Sequence, residues 1–383
     1  MATTLSPAQQ REMDGVELGL LTCSPGKEIY SYYGHTAIRY KNEQRGIDVA
    51  INYGLFNYHR PHFIIRFVFG LCDYEMGVTP FENFLSEYIE DGRGVVEQRL
   101  RLTADEKFAI LNALAINAED ANKVYRYNFF YDNCSSRARD MLVDHIRGKV
   151  VYRPHLQTTN SYRVMVHQWN ANHPWSSFGC DLLLGVGADR STNLEQQQFL
   201  PDSLRASFAN AVVLRPGMKE LPLIDSTWTV LPVHNVDKSH NYLSLLTPKV
   251  AFALLAILLF IVACYEIKQK KVFGGIDFLM LFVDGVAGFI LFSMIFSKHP
   301  TVSLNFQIFA LNPLSLLMCG LVVWAKNGHA LKVCWKILTF CLLLFFICNI
   351  WQDYAEGMNF LALCLLERCT VNICVSKYKE SKR

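Results

Sequence analysis

The sequence predicts an α+β head followed by an all-α membrane domain, and three observations predict it. Residues 1–240 mix charged stretches rich in Tyr and Asn with short β-type alternations and amphipathic runs. From about Leu245 onward, long apolar runs alternate with short charged stretches. The cysteines divide at the same boundary. Four of the twelve (Cys23, Cys72, Cys134, Cys180) lie in the first part and eight in the apolar part, where a thiol behaves as a small buried hydrophobe. A length of 383 residues makes two units the prior expectation. A net charge of +3 gives no support for nucleic acid as a partner. No C-x-x-C pair occurs, so neither a metal site nor a cofactor is expected. The sequence leaves a Cys23–Cys72 or Cys72–Cys180 disulfide open.

The membrane domain, 245–376, reads as five spanning helices, each near the roughly 20 apolar residues that cross the hydrocarbon. They run about Leu245–Tyr265, Gly274–Phe296, Phe306–Ala325 (containing Pro313), Val333–Trp351 and Met358–Val375. The fifth is interrupted by Glu367 and Arg368. Basic residues gather in alternate loops: Lys268, Lys270 and Lys271, then Lys326 and Lys332, then Lys377, Lys379, Lys382 and Arg383 in the tail 377–383. The positive-inside rule makes that side cytoplasmic and puts the head, 1–240, outside. The N-terminal "MATTLSPAQQREMDGVE" has no apolar h-region and is not a signal peptide. The expectation is that a leader was removed or replaced; the alternative is a cytoplasmic head. Intramembrane charges are costly and usually paired. Asp284 and Arg368 fall at similar depth and are the candidate pair, with a snorkelling Arg368 as the plain alternative.

Within the head, "HTAIRY" and "IDVAINYGLF" read as strands joined by the turn "KNEQRG". "TPFENFLSEYIEDGRG" reads as a helix and "VVEQRLRL" as a strand. Thr103 and Glu106 form a capping box for a helix to about Asn117. "CSSRARDMLVDHIRG" places Ala138, Met141, Leu142 and Ile146 at helical spacing, capped by Asp132 or Asn133 and ended by Gly148. The polar, aromatic stretch 150–240, with Trp169 and Trp175, is an extension that reads as a lid, an interfacial surface or ordinary core.

That layout sets Cys134 in the first turn of a helix, where backbone N–H groups and the dipole favour a thiolate. His35, on a strand, is the candidate base, and a thiolate with an imidazole is a nucleophile suited to acyl transfer. Asn52 in "INYG" is the first candidate to orient the imidazole and Asp48 the second. Gly34 leaves room for substrate, and Tyr53 is a further substrate-side candidate. Cys23 in "LTCSPG" is the rival nucleophile, although its context suggests a turn. His59, His62, His155, His167 and His173 show no ligand spacing and read as surface or structural residues.

Taken in order, "LLTCSPGKEIYSYYGHTAIRY", "INYGLFNY", "RLRLTADEK", "VYRYNFFYDNCSSRARDML", "FGCDLLLGVGADR" and "QQFLPDSL", then the membrane domain, resemble the Lnb-type lipoprotein N-acyltransferases. The resemblance implies a circularly permuted papain-like (NlpC-like, LRAT-like) thiol domain in the periplasm of a multi-pass bacterial inner-membrane protein. It maps the family's histidine to His35 and its cysteine to Cys134.

The activity it implies has two membrane partners, a phospholipid acyl donor and a diacylated lipoprotein acceptor. The acyl chain passes through a Cys134 thioester to the α-amino group of the lipoprotein's N-terminal cysteine. Asn133 or Tyr33 is then a candidate oxyanion donor alongside backbone N–H groups, and Arg126, Arg137 and Arg139 are candidates to meet a lipid phosphate, with an Arg139–Asp140 pair on the helix surface as the plain alternative. The competing readings are a membrane-anchored thiol hydrolase (amidase, peptidase or phospholipase) and a non-catalytic sensor or scaffold.

Overall fold

The computed structural model describes residues 5–56, 61–154, 160–234, 246–324 and 329–382. His59, His155, Lys326 and Arg383 lie outside these described residues. The strands are β1 (Val16–Cys23), β2 (His35–Asn42), β3 (Ile47–Leu55), β4 (Asp73–Pro80), β5 (Val95–Leu100), β6 (Val124–Arg126), β7 (Lys149–Tyr152), β8 (Ala211–Leu214), β9 (Leu221–Pro222) and β10 (Ile224–Leu231). The helices up to the apolar region are α1 (Pro7–Asp14), α2 (Phe63–Val68), α3 (Phe81–Glu90), α4 (Ala104–Asn117), α5 (Cys134–Val143), α6 (Tyr162–Asn170), α7 (Pro174–Leu183), α8 (Leu194–Gln197) and α9 (Pro201–Ala209). The apolar region contributes α10 (Pro248–Gln269), α11 (Gly274–Met294), α12 (Leu314–Trp324), α13 (His329–Cys348) and α14 (Met358–Ser381).

Chain contacts divide the molecule into two units. The first holds the described residues up to Asn160 and those from Ser191 to His234; the second holds Ser161–Arg190 and those from Leu246 on. The stretch 150–240 is therefore shared between the units, with its middle part belonging to the helical one.

The first unit is built on an antiparallel sheet in the order β10-β5-β1-β2-β3-β4-β6. Strand side chains alternate between two faces. Leu18, Leu20, Ile38 and Ile51 meet Leu114 of α4, Ala138 and Leu142 of α5 and Phe208 of α9. Leu21, Cys23, Ala37 and Ala50 meet Phe81, Phe84 and Tyr88 of α3. Fully burying each such Leu or Phe contributes about 1.5–3 kcal/mol, so both faces hold the sheet rigidly between helices. The predicted hairpin is present: β2 and β3 pair through Ala37 and Asn52, and the connecting turn ends on Gly46 in the left-handed region. The predicted capping box is also present, with the Glu106 side chain accepting from the Thr103 N–H at 2.8 Å. Glu106 is buried there and also accepts from Arg215 and from the Arg147 N–H, which ties α4 to the segments around β8 and α5. The helix from Cys134 ends at Val143 rather than at Gly148. Gly148 instead takes φ +106° and packs against the Leu214 carbonyl as the chain enters β7.

The second unit contains five helices long and apolar enough to cross a membrane, Pro248–Gln269, Gly274–Met294, Phe306–Val323, His329–Cys348 and Met358–Ser381. The third is broken. Phe306–Phe309 is a single 3₁₀ turn, and α12 begins only after Pro313, which cannot continue a hydrogen-bonded ladder.

Arg368 does not pair with Asp284. Its guanidinium binds Asp277 at 2.7 Å and Glu266, and Asn372 steadies Asp277 at 2.9 Å. Seven residues of helix separate Asp277 from Asp284, about 10 Å of rise, which puts Asp284 out of reach. Asp284 meets the break instead, accepting from the Ser315 hydroxyl at 2.5 Å and the Asn312 N–H at 3.4 Å.

Ser161–Arg190 is bolted to the same unit. Arg163, fully buried, binds Asp189 at 2.6 Å and Asp181 at 3.0 Å. Asn305, Gln307 and Gln352 donate to the carbonyls of Leu182, Asp181 and Leu184. Trp175 donates its indole N–H to the Leu246 carbonyl at 2.8 Å and packs on Phe178 and Phe252. The twelve cysteines are all free thiols, so neither Cys23–Cys72 nor Cys72–Cys180 is a disulfide here.

Replacing Arg368 with Met leaves Glu266 and Asp277 buried without their cation. Removing one partner of a buried ion network costs about 3–5 kcal/mol. Thermal unfolding in detergent should show this as a markedly lowered midpoint, and an unchanged midpoint would contradict the network's structural role.

Candidate active site

Cys134 is the first residue of α5 because Asn133 caps that helix. The Asn133 Oδ1 accepts from the N–H groups of Ser135 (2.9 Å) and Ser136 (3.0 Å). Its Nδ2 donates to the carbonyls of Phe129 (2.9 Å) and Phe199 (2.8 Å). Every hydrogen-bonding atom of that amide is committed to structure, so Asn133 is a cap and has no donor left for an oxyanion. The Cys134 N–H is not used by the cap. α5 lies against β2 and β3, and the Thr36 and Ser135 hydroxyls bond at 2.8 Å to lock helix to strand.

His35 opens β2, directly opposite Cys23 in the register. Asn52, one strand over, is opposite Ala37. The His35 Nε2 lies 3.1 Å from the Asn52 Oδ1. A carboxamide oxygen only accepts, so Nε2 carries the proton and Nδ1 is the nitrogen left for the thiol. His35 and Cys134 are each half-buried and hydrogen-bonded to one another. Burial pushes the Cys134 thiol up, but the His35 charge and hydrogen bond, the Thr36 backbone N–H and Ser135 outweigh it, and its pKa falls below the ordinary value. For His35 burial pulls down, while the Cys134 charge and the hydrogen bonds to Cys134 and Asn52 push up and win. Each shift favours the charged form of its own group, and each group is the other's main charged neighbour, so their titrations are coupled.

The other sequence candidates sit elsewhere. Asp48 binds Arg39 through both carboxylate oxygens (2.8 and 2.6 Å), and Arg39 also holds Glu97, so Asp48 does not orient His35. Gly34 leaves no room for substrate: its φ is +78°, and a Cβ there would meet the Cys23 carbonyl at 2.5 Å. Tyr53 is buried and donates to Asn117 at 2.8 Å. Tyr33 packs on Phe129, with ring centroids 4.9 Å apart. Arg126 binds Asp73, Arg137 binds Asp132 and Arg139 binds Asp140, so each guanidinium already has a carboxylate partner.

Cys23 is not a competing nucleophile. It is buried, and burial pushes its thiol up to about 12 against the opposing Tyr88 hydrogen bond. His167 is held by Asp181 at 2.6 Å in the other unit. A cavity of about 760 Å³ in the first unit is lined by Lys149–Tyr152 and Ser191–Gln196 and involves neither His35 nor Cys134. Among the described residues no group of three His, Cys, Asp or Glu is arranged to hold a metal.

Two residues at the site carried no sequence signal. Thr36 follows His35 and supplies the backbone N–H to the sulfur. Gly54, with φ +90°, brings the end of β3 against the nucleophile: a Cβ there would lie 3.8 Å from Cys134 Cβ.

A thiol, an imidazole and a carboxamide brought together on an α+β head, joined in one chain to five candidate spanning helices, define the class as a membrane protein with an α+β extramembrane domain. The Lnb N-terminal periplasmic domain matches residues 6–168 and the Lnb transmembrane domain matches residues 239–380. In that order the two matches account for most of the chain, and the chain belongs to the Lnb-type lipoprotein N-acyltransferase family. It is accordingly a membrane protein with a periplasmic head. No curated protein and no solved structure shows detectable similarity to it.

The directions of the two shifts fix the expected pH profile. Cys134 ionises below the ordinary thiol value of 9.0, and His35 keeps its proton above the ordinary imidazole value of 6.5. Both shifts narrow the gap between the two groups and favour the charged form of each. Iodoacetamide labelling, read by peptide mass, should modify Cys134 with a midpoint below pH 9, and His35→Ala should move that midpoint upward. Cys23 should stay unlabelled until the pH nears 12.

Proposed function

We propose that the protein moves an acyl chain from a membrane phospholipid, through a Cys134 thioester, to the α-amino group of a lipoprotein's diacylated N-terminal cysteine. The observation that carries this reading is the thiol–imidazole–Asn52 arrangement on the periplasmic head of an Lnb-family membrane protein. We place it in the bacterial inner membrane, with a permuted papain-like head.

The Cys134 thiolate attacks the ester carbonyl of the phospholipid. The tetrahedral adduct collapses by breaking the acyl C–O bond, and the His35 imidazolium gives its proton to the departing lysophospholipid oxygen. The neutral imidazole then takes a proton from the attacking lipoprotein amine. Collapse of the second adduct breaks the C–S bond, releases the amide and restores the ion pair. Asn52 keeps Nδ1 aimed at the sulfur throughout, because it fixes the ring at Nε2.

A lipid donor also fits the surface beside the site. Ile29 and Tyr30 are 64% and 71% exposed, and on α2 Ile65 is 57% exposed with Phe67 beside it. Exposed apolar patches of this kind mark lipid or protein contact. A run of rings, Tyr30 to Phe56 (5.9 Å), Phe56 to Phe63 (6.0 Å) and Phe63 to Phe67 (6.5 Å), joins that surface to the end of β3, where Gly54 meets Cys134. An acyl chain lying along these rings brings its ester to the thiol without crossing water.

Mixed micelles of the purified protein, phospholipid and diacylated lipopeptide should yield triacylated lipopeptide by mass spectrometry, and Cys134→Ala should yield none. Free fatty acid without triacylated product would instead indicate a hydrolase. The double change Ile65→Glu, Phe67→Glu should lower turnover about tenfold or more, since each buried apolar side chain is worth roughly 1.5–3 kcal/mol. Iodoacetamide labelling of Cys134 should remain normal in that variant, and unchanged turnover would remove the lipid contact.

A further inference from the structure

Tyr125, in β6, has a buried hydroxyl whose oxygen faces the Gly54 backbone N–H but whose O–H has no acceptor among the described residues, and the residue is 7% exposed. An unsatisfied buried hydroxyl is destabilising, and native structures keep few of them. This one lies at the reaction centre. The vacant Cβ position of Gly54 is 4.0 Å from the Tyr125 Oη and 3.8 Å from Cys134 Cβ, so the hydroxyl and the nucleophile flank the same small corner. A residue with any side chain at position 54 would fill it.

The phenol is held firmly there. Tyr53 packs edge-on against the ring at 6.3 Å and is itself anchored on Asn117. The Arg137 guanidinium lies over the Tyr125 ring, 3.6 Å from its centroid, and is clamped by Asp132. β6 pairs with β4 through Tyr74 and Tyr125, which fixes the backbone. Burial raises the phenol's pKa and the neighbouring Cys134 charge adds to it, with Arg137 opposing, so the hydroxyl keeps its proton at any working pH. The group is thus a rigid, protonated donor without an acceptor.

We infer that the Tyr125 hydroxyl is an oxyanion donor, hydrogen-bonding to the negatively charged oxygen of both tetrahedral adducts on Cys134. The inference rests on the acyl-transfer reading above and deepens it. Asn133 and the amides of Ser135 and Ser136 are consumed in capping α5. The uncapped Cys134 N–H and Tyr125 remain to share the oxyanion. In each adduct the carbonyl π pair moves onto oxygen as sulfur or amine bonds to carbon. The phenol then donates its O–H without transferring the proton, and on collapse that electron pair returns to the carbonyl. The acceptor missing in the resting protein exists only while an adduct does, which is the condition for selective stabilisation of the transition state.

Tyr125→Phe removes the hydroxyl and keeps the ring, its packing and the cation above it. Because the O–H has no acceptor at rest and only the Gly54 N–H faces its oxygen, thermal stability in detergent should change little. The test uses the full-length protein in micelles with a p-nitrophenyl fatty ester as donor. It follows nitrophenolate release and the mass of the Cys134 adduct, with iodoacetamide alkylation in parallel. Alkylation of a thiolate passes through no oxyanion, so its rate should match wild type. Acylation of Cys134 should slow by roughly 10²–10³-fold, the usual cost of one oxyanion donor. Acylation within about threefold of wild type, or an equal loss in alkylation and acylation, overturns the assignment. A wild-type protein that never acylates on Cys134 overturns the proposed function, and this inference with it.

Discussion

The hydrogen-bonded contact between Cys134 and His35 is the constraint on which the head depends. It demands that a helix begin where a strand begins, with no residue to spare on either side. Asn133 ends the preceding loop at the right residue, and the Thr36–Ser135 hydroxyl bond fixes the helix to the strand within hydrogen-bond tolerance. Behind them the sheet is packed on both faces, so neither partner can drift. A thiolate in a half-buried place is costly unless charge and donors compensate it. Here His35, one backbone N–H and one hydroxyl outweigh the burial and lower the thiol pKa, while the sulfur stays half-exposed.

The membrane unit obeys the same rule with larger charges. Arg368 is fully buried and satisfied by two carboxylates, one each from α10 and α11, so three helices meet at one guanidinium. Asp284 answers the backbone broken at Pro313, accepting the Asn312 N–H that no helical carbonyl reaches. Arg163 does comparable work outside the spans, gathering Asp181, Asp189 and three carbonyls and thereby folding Ser161–Arg190 on itself, while Asn305, Gln307 and Gln352 hold that segment to the spanning helices. Polar groups removed from water are paired wherever the architecture turns or joins, as burial energetics require.

Much of this was legible along the chain. The hairpin of β2 and β3, the capping box at Thr103 and Glu106 and the start of α5 are local, because turns and caps are decided within about four residues. The five apolar segments were equally plain, since lipid thickness imposes their length. His35, Cys134 and Asn52 could be named because neighbouring strands and a helix tip leave few places for a base. Errors arose where the partner was distant. Asp48 and Asn52 lie on the same strand, but Asp48 is captured by Arg39. Arg126 is taken by the distant Asp73, whereas Arg137 and Arg139 pair with acids close in sequence, Asp132 and Asp140, the second of which the sequence already offered. Asp284 matched Arg368 in depth by counting, whereas the actual partners lie seven residues away and on another helix.

By itself the sequence determined where the main elements start, the division into a mixed head and an apolar domain and the family, and it named His35 and Cys134 as the candidate pair. All of these follow from short-range backbone preferences, hydrophobic length and local pattern. Only the tertiary structure decided who partners whom: that Nε2 of His35 goes to Asn52, that Asn133 is spent on a cap, that Gly54 opens a corner beside the sulfur and that Tyr125 reaches into it. Those facts depend on side-chain direction across strands far apart in sequence, which no local preference encodes.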